Sequence, residues 1–327
     1  MITFENIGHY GRLGNQLFQY GVLYIVAKKN GYNFALPSDN FKIVKSSPNP
    51  VIGKRDYMFL QLYECFNVTG KLLPKSEIHF NSTFDHGKDF SKFSTRVFDI
   101  SDNTNIRGFF NSYKYFVGYE DKIKKEFQFK KEIEETTKDY FNGLKKEYSK
   151  KTITGIHVRR GDTLTNSCTT EEYALHNKPK KKRGRKLTPG GCWVLPNASW
   201  HNKMMKKLKS DDNIFLIISD DIEWCKENIK GDDVIYSKFS VDGHSEIKSE
   251  YLDLCLITYC DNFVMSCSTF SWWGAWLSKK DGQVYVPDRW WGRRYCKKNE
   301  SDIRLPKWNS VRVTSDYEIW DSKGKEY

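Results

Sequence analysis

Three times in its second half the chain runs a short apolar stretch into polar residues and then into a helix-like segment. Residues 153–158 (ITGIHV) end in Arg159, Arg160, Gly161 and Asp162. Residues 213–218 (NIFLII) end in Ser219, Asp220 and Asp221, and residues 262–266 (NFVMS) lead into Cys267–Ser271. Bounded apolar runs of this length read as buried strands. Strands separated by helix-length segments need crossover connections, and these produce a parallel sheet with helices on its faces. In an open parallel sheet, ligands bind beyond the carboxyl ends of the strands. The pattern therefore gathers three polar strand ends on one rim.

The first half opens in the same manner. Residues 2–6 are strand-like, and Gly8, Gly11 and Gly14 follow in GHYGRLGNQLF. Residues 17–29 carry apolar positions Leu17, Phe18, Val22, Ile25 and Val26 at helical spacing, with Gly31 just beyond. Residues 33–36, closed by Pro37, complete a strand–helix–strand unit. The segment 105–119 is dense in aromatics, and 121–151 reads as a charged helical stretch. Two α/β halves in one chain predict two Rossmann-like domains with parallel sheets facing a cleft, 1–150 and 151–300, followed by a tail, 301–327.

The composition supports a folded chain. Aromatics reach 15% and apolar residues 39%, while 22 glycines and 9 prolines in 327 residues exclude a collagenous or low-complexity protein. No apolar run approaches the roughly 20 residues of a membrane span, and the start, MITFENIGHYGRLGNQ, lacks the pattern of a secretory signal. A soluble cytoplasmic protein is the expectation. The net charge is +12, and residues 178–186 (KPKKKRGRK) supply seven basic residues and no acid. An anionic substrate, a nucleic acid or an acidic surface suits such an excess. The eight cysteines show no CxxC pair and no zinc-like spacing. They read as buried reduced thiols, although Cys168 and Cys192 flank the basic run and can pair.

Each strand end offers distinct chemistry. Strand periodicity puts His157 and Arg159 on one face and Arg160 on the other. Arg159 can then address an anion through its planar fork, and Arg160 finds a carboxylate, Asp162 being nearest in sequence. The alternative is a plain surface salt-bridge cluster. Ser268, Thr269 and Ser271 precede or open a helix, whose first N–H groups form an anion site or are simply capped. Trp272, Trp273 and Trp276 read as core. Asp220 and Asp221 can accept from a guanine edge or cap the following helix, and no DxD spacing pairs them for a metal. GRLGNQ is neither a Walker loop nor GxGxxG. It sets Arg12, Asn15 and Gln16 at a strand-to-helix junction.

Together, GRLGNQLFQYG (11–21), RGFFNSYKYF (107–116), GIHVRRGD (155–162), FLIISDDIEWCKENI (215–229) and YLDLCLITYCDNFVMSCSTFSWWGAWLS (251–278) resemble glycosyltransferase family 11, the α-1,2-fucosyltransferases. The resemblance implies a GT-B architecture. The N-terminal domain would lie on the acceptor side and the C-terminal one would bind the donor, GDP-fucose. Fucose would pass with inversion to a glycan acceptor, at the 2-OH of a galactose or related sugar, with no cofactor and no obligatory metal. Arg159, His157 and Asn15 would be catalytic. Arg159 would bind the pyrophosphate, aided by His157, and Ser268, Thr269 and Phe270 would line the phosphate site. Asp220 would read the guanine edge. Arg12, Gly14 and Asn15 would close over the phosphates and fucose. Arg160 and Asp162 would be structural support.

The chain departs from the family pattern where Cys267 replaces an asparagine, where Thr163 follows the HVRRGD segment, at Asn111, and in a long insert at 166–199. These departures bear on acceptor choice more than on the donor. The general base is not identified by the sequence, His9 being one option. The alternatives are a fucosyltransferase of other linkage, α-1,6 or peptide O-linked, and a nucleic-acid-binding protein using 178–186. The SWWGAW segment argues against the first. The confinement of the basic run to one loop argues against the second.

Overall fold

The computed structural model describes residues 1–9, 11–41, 60–87, 89–161, 192–292, 295–316, 319, 323 and 325. Packing divides them into two α/β units, each built on a parallel sheet, which is the GT-B composition expected. The first unit holds the described residues up to Lys130 together with Lys298–Leu305, and the second holds the rest.

In the first unit, strands β1 (Ile2–Thr3), β2 (Phe34–Pro37), β3 (Lys71–Leu73), β4 (Ser82–Asp85) and β5 (Thr104–Arg107) stand in the order β3-β2-β1-β5-β4, all parallel. Helix α1 (Leu13–Asn30) connects β1 to β2. It is buried around most of its circumference, as its apolar residues on every side require. Gly31 ends it at φ 70°, with its N–H on the Ala27 carbonyl. The helix starts at Leu13, four residues before the predicted Leu17. The glycine-rich GRLGNQ is therefore a turn at Gly11 (φ 91°) followed by the first helical turn, and Gly14 and Asn15 are helical. Gln61 explains the early start. Its Oε1 accepts the Leu13 amide at 2.9 Å, and its own amide donates to Gln16 Oε1 at 2.9 Å.

The second unit contains α2 (Lys131–Glu147), β6 (Thr152–Val158), α3 (Ala198–Leu208), β7 (Asn213–Ser219), α4 (Ile222–Asn228), β8 (Val234–Tyr236), α5 (Ser249–Tyr259), β9 (Asn262–Val264), α6 (Thr269–Trp276), β10 (Val284–Pro287) and β11 (Asn309–Val311). Its sheet has the order β11-β10-β9-β6-β7-β8, all parallel. Counted within the unit this is the doubly wound Rossmann order, which reverses between β6 and β9. Strand β7 is buried along its whole length, as a central parallel strand is. Trp272 and Trp273 on α6 are fully buried, and Gly274 lets α6 approach Ile257 of α5, where a Cβ would come within 2.5 Å.

The unit boundaries differ from the sequence division at 150. Residues Ile133, Thr137, Phe141 and Leu144 give α2 a single buried stripe, and Phe141 meets Tyr259 of α5 at 5.6 Å between ring centroids. Helix α2 therefore belongs to the second unit. The charged stretch 121–151 is broken at Phe127–Lys130. There the alternation of buried Phe127 and Phe129 favours extended chain, and Phe129 bridges Phe66. The segment after 300 is no separate tail. Asp302 accepts the Tyr113 amide on its carbonyl and the Phe93 amide on Oδ2 at 2.8 Å, both in the first unit, and β11 extends the second sheet. The seven described cysteines are buried; Cys168, and with it the pairing with Cys192, lies outside the described residues.

Candidate active site

The site grows from the end of β6. His157 is 4% exposed, wedged against Phe270 at 5.3 Å with the rings 29° apart, and its Nδ1 is hydrogen-bonded to Ser271 Oγ. Burial, with the neighbouring Arg159 and then His201, pulls the imidazole down to about 3, so it is neutral near pH 7. One residue on, the Arg159 amide donates to Ser266 Oγ at 3.2 Å, and that hydroxyl donates to the His157 carbonyl at 2.6 Å.

The two arginines part as strand alternation predicts. Arg159 forms an ion pair with Asp220 at the end of β7. The other oxygen of Asp220 accepts the Arg160 amide at 2.8 Å. Arg160 Nε donates to Asp221 at 3.0 Å, and its guanidinium lies 3.9 Å over the Trp224 ring. Among the described residues, the carboxylate that Arg160 finds is thus Asp221; Asp162 is outside the described residues. Asp221 is close because β6 and β7 pair in register, Val158 beside Ser219. Asp221 also caps α4 through the Trp224 amide. Gly161 keeps this corner open, since a Cβ there would lie 2.4 Å from Asp220 Oδ2.

Beyond β9, Ser268 caps α6, its hydroxyl accepting the Phe270 amide at 3.2 Å. Thr269 and Phe270 form the partly exposed first turn. The remaining first-turn N–H groups and the helix dipole offer positive potential there. Because the sheet order reverses between β6 and β9, Arg159 and the start of α6 flank the position where doubly wound sheets bind ligands.

Beneath the rim lies a set of residues that sequence reasoning missed. Ser219 Oγ donates to the Val158 carbonyl at 2.9 Å and accepts the Asp221 amide at 3.0 Å, tying the two strand ends together. Its amide donates to Ser240 Oγ at 3.2 Å, and Ser240 and Ser237 both donate to the buried Asp253. Burial pushes Asp253 up to about 7. His201 on α3 is fully buried, and among the described residues its ring nitrogens have no hydrogen-bond partner; burial and then Arg160 pull it to about 3. Ser266 had a signal in the serine-rich SCSTFS segment. His201, in the ordinary helical pattern WHNKMM, had none.

In the first unit, Arg12 is the extended residue preceding α1, Gly14 is buried in the first turn, and Asn15 Oδ1 accepts from Asn111 Nδ2 at 3.5 Å. Asn111 follows β5, the strand beside β1, so these residues flank the reversal of the first sheet. Phe110, fully buried, holds φ 55° beside them. His9 bonds Asn40 Oδ1 at 2.9 Å through Nε2. Among the described residues, no group of three or more His, Cys, Asp or Glu stands ready to hold a metal ion, and no helix is long and apolar enough to cross a membrane.

The sequence model of glycosyl transferase family 11 matches residues 2–177 and 195–312. The chain belongs to glycosyl transferase family 11. This family 11 member is therefore a glycosyltransferase, and the stretch its family model leaves unmatched, 178–194, contains the basic run. It is 21% identical to the O-antigen biosynthesis glycosyltransferase WbnK of Escherichia coli, over 91% of this chain and 97% of that protein. It is 25% identical to galactoside alpha-(1,2)-fucosyltransferase 2 of Pongo pygmaeus, over 83% of this chain and 68% of the relative. Among solved structures it is similar to NodZ alpha-1,6-fucosyltransferase co-crystallized with GDP, with a TM-score of 0.47, 14% identity, and coverage of 85% of this chain and 92% of that one.

Proposed function

We propose that this glycosyltransferase moves L-fucose from GDP-fucose, with inversion, to a hydroxyl of a glycan acceptor, the 2-OH of a galactose or related sugar. The observation that carries the donor half is the seating of Arg159. It closes β6 at the reversal of the second sheet, next to the first turn of α6, with its backbone held by Ser266. The name of the relative at 25% identity, a galactoside alpha-(1,2)-fucosyltransferase, supports the fucosyl group and the linkage.

The chemistry follows from where charge develops. Breaking the bond between fucose C1 and the diphosphate leaves negative charge on the β-phosphate. Preorganised donors at that point stabilise the transition state more than the ground state. Arg159 supplies the fork, His157 a neutral ring, and the first turn of α6 backbone N–H groups, with Ser268, Thr269 and Phe270 lining the phosphates. Asp220 holds Arg159 in place. Each Asp220 oxygen keeps a second acceptor site, which suits it to the guanine edge as well. Arg160 supports the corner from below through Asp221 and Trp224. Roles for Arg12, Gly14 and Asn15 rest on the resemblance alone, and the proposal includes independence from divalent metal.

The test is incubation with GDP-fucose and a galactose-terminated oligosaccharide in EDTA, with GDP release followed and the product linkage read by NMR. Release of GDP with an α-1,2-linked fucose is expected. An α-1,6 linkage would overturn the acceptor reading, and no turnover without a divalent cation would overturn the metal-free mechanism.

A further inference from the structure

His157 and Ser271 meet where β6 ends and α6 begins. The ring lies on Phe270, and its Nδ1 is bonded to Ser271 Oγ. Among the described residues, this is the one side-chain hydrogen bond either residue makes, and Nε2 takes no partner in the fold. A neutral imidazole carries one proton, and the bond can run two ways. If Nδ1–H donated to Oγ, the serine O–H would be left without an acceptor inside the protein, and Nε2 would be a bare lone pair. If the serine O–H donates to Nδ1, that donor is satisfied and the ring proton sits on Nε2. Each arrangement leaves one donor without a partner in the fold, the serine O–H in the first and Nε2–H in the second. Ser271 is 0% exposed, whereas His157 keeps 4% of its surface and its Nε2 is not among the buried atoms without a partner. Leaving the buried donor unmade is the costlier error, so the second arrangement wins. Burial and the Arg159 charge keep the ring neutral in either case.

We propose that Ser271 is a positioning residue. Its hydroxyl donates to Nδ1 of His157, sets the proton on Nε2, and makes the ring a neutral N–H donor to an anionic oxygen of the donor's diphosphate. The ligand half rests on the GDP-fucose reading above; the tautomer half does not. A neutral donor differs from a second arginine in one useful respect. It stabilises charge on the departing phosphate without adding a cation that would hold the GDP product. Phe270 contributes by fixing the ring plane, so that the proton Ser271 sets on Nε2 keeps its direction.

The experiment is a ring ¹⁵N–¹H correlation spectrum of ¹⁵N-histidine-labelled protein without ligand and with GDP, His157 being assigned by its absence in His157→Gln. The expected result is a protonated Nε2 and an unprotonated Nδ1 in the free protein, with the Nε2 proton shifting when GDP binds. A protonated Nδ1 overturns the proposal, and that reading needs no variant at the serine. In Ser271→Ala the GDP dissociation constant should rise about tenfold, and the Nδ1 resonance should lose its hydrogen-bond shift. Unchanged affinity in a folded Ser271→Ala overturns the role of the serine. Failure of the wild type to bind GDP overturns the donor reading, and the tautomer is still read from the free spectrum.

Discussion

The hydroxyl of Ser266 stands between Arg159 and His157, accepting the amide of the first at 3.2 Å and donating to the carbonyl of the second at 2.6 Å. One buried side chain from the loop after β9 thus fixes the last turn of backbone at the end of β6, across the point where the sheet reverses. A parallel sheet leaves its strand ends without ladder partners, and a serine in the neighbouring loop supplies both here. Replacing Ser266 by Ala should orphan the Arg159 amide and lower stability by about 1–3 kcal/mol. Turnover should fall with little change in acceptor KM. Thermal melting together with steady-state kinetics checks both halves.

Arg159→Ala should lose about a hundredfold or more in kcat, the scale of removing a preorganised electrostatic contact. Arg159→Lys should not restore it, because an ammonium cannot donate two parallel bonds. Melting should change little, since Arg159 and Asp220 are partly exposed, at 16% and 27%. Substantial turnover in Arg159→Ala would place the phosphate elsewhere.

Arg160 should behave in the opposite way. It lies under the rim, bonded to Asp221 and stacked on Trp224. Arg160→Ala should cost about 1–2 kcal/mol of stability, while GDP affinity in the folded fraction stays within about threefold, well under the tenfold that 1.4 kcal/mol brings. Denaturant melts and calorimetry separate the two effects.

The buried ionisable groups set opposing trends with pH. His157 and His201, drawn to about 3 from 6.5, contribute stability that is present above pH 6.5 and lost as pH falls towards 3. Asp253, raised to about 7 from 3.8, contributes stability that is full below 3.8 and lost as pH rises through 7. Asp253→Asn removes only the second trend. The stability of the variant relative to wild type should therefore increase from pH 4 to pH 7, by up to several kcal/mol. A flat difference, measured by chemical denaturation across that range, would contradict the assignment.

Much of this was legible in the chain because burial writes itself into short runs. NIFLII and ITGIHV announced two central parallel strands, and the polar residues after them announced the rim. The strands β3 and β4 were not legible. KLL and STFD are short and largely exposed, with neither alternation nor an apolar run. The charged stretch 121–151 reads as helical, but neither the break before Lys131 nor the packing of α2 on α5 of the second unit follows from it. The start of α1 depended on Gln61, far away in sequence. Arg160 illustrates the same limit inside the site. Alternation gave its direction, and only strand pairing revealed that Asp221 lies there. Hydroxyl bridges such as Ser266 and Ser219 leave no periodic trace at all.

The central claim is that Arg159 and the first turn of α6 grip a nucleoside diphosphate without help from a divalent cation. Titration calorimetry of GDP into the protein in EDTA tests it most directly. The account predicts one-to-one uptake by the wild type and at least about tenfold weaker binding by Arg159→Ala. Uptake that required Mn²⁺, or equal uptake by the variant, would contradict it.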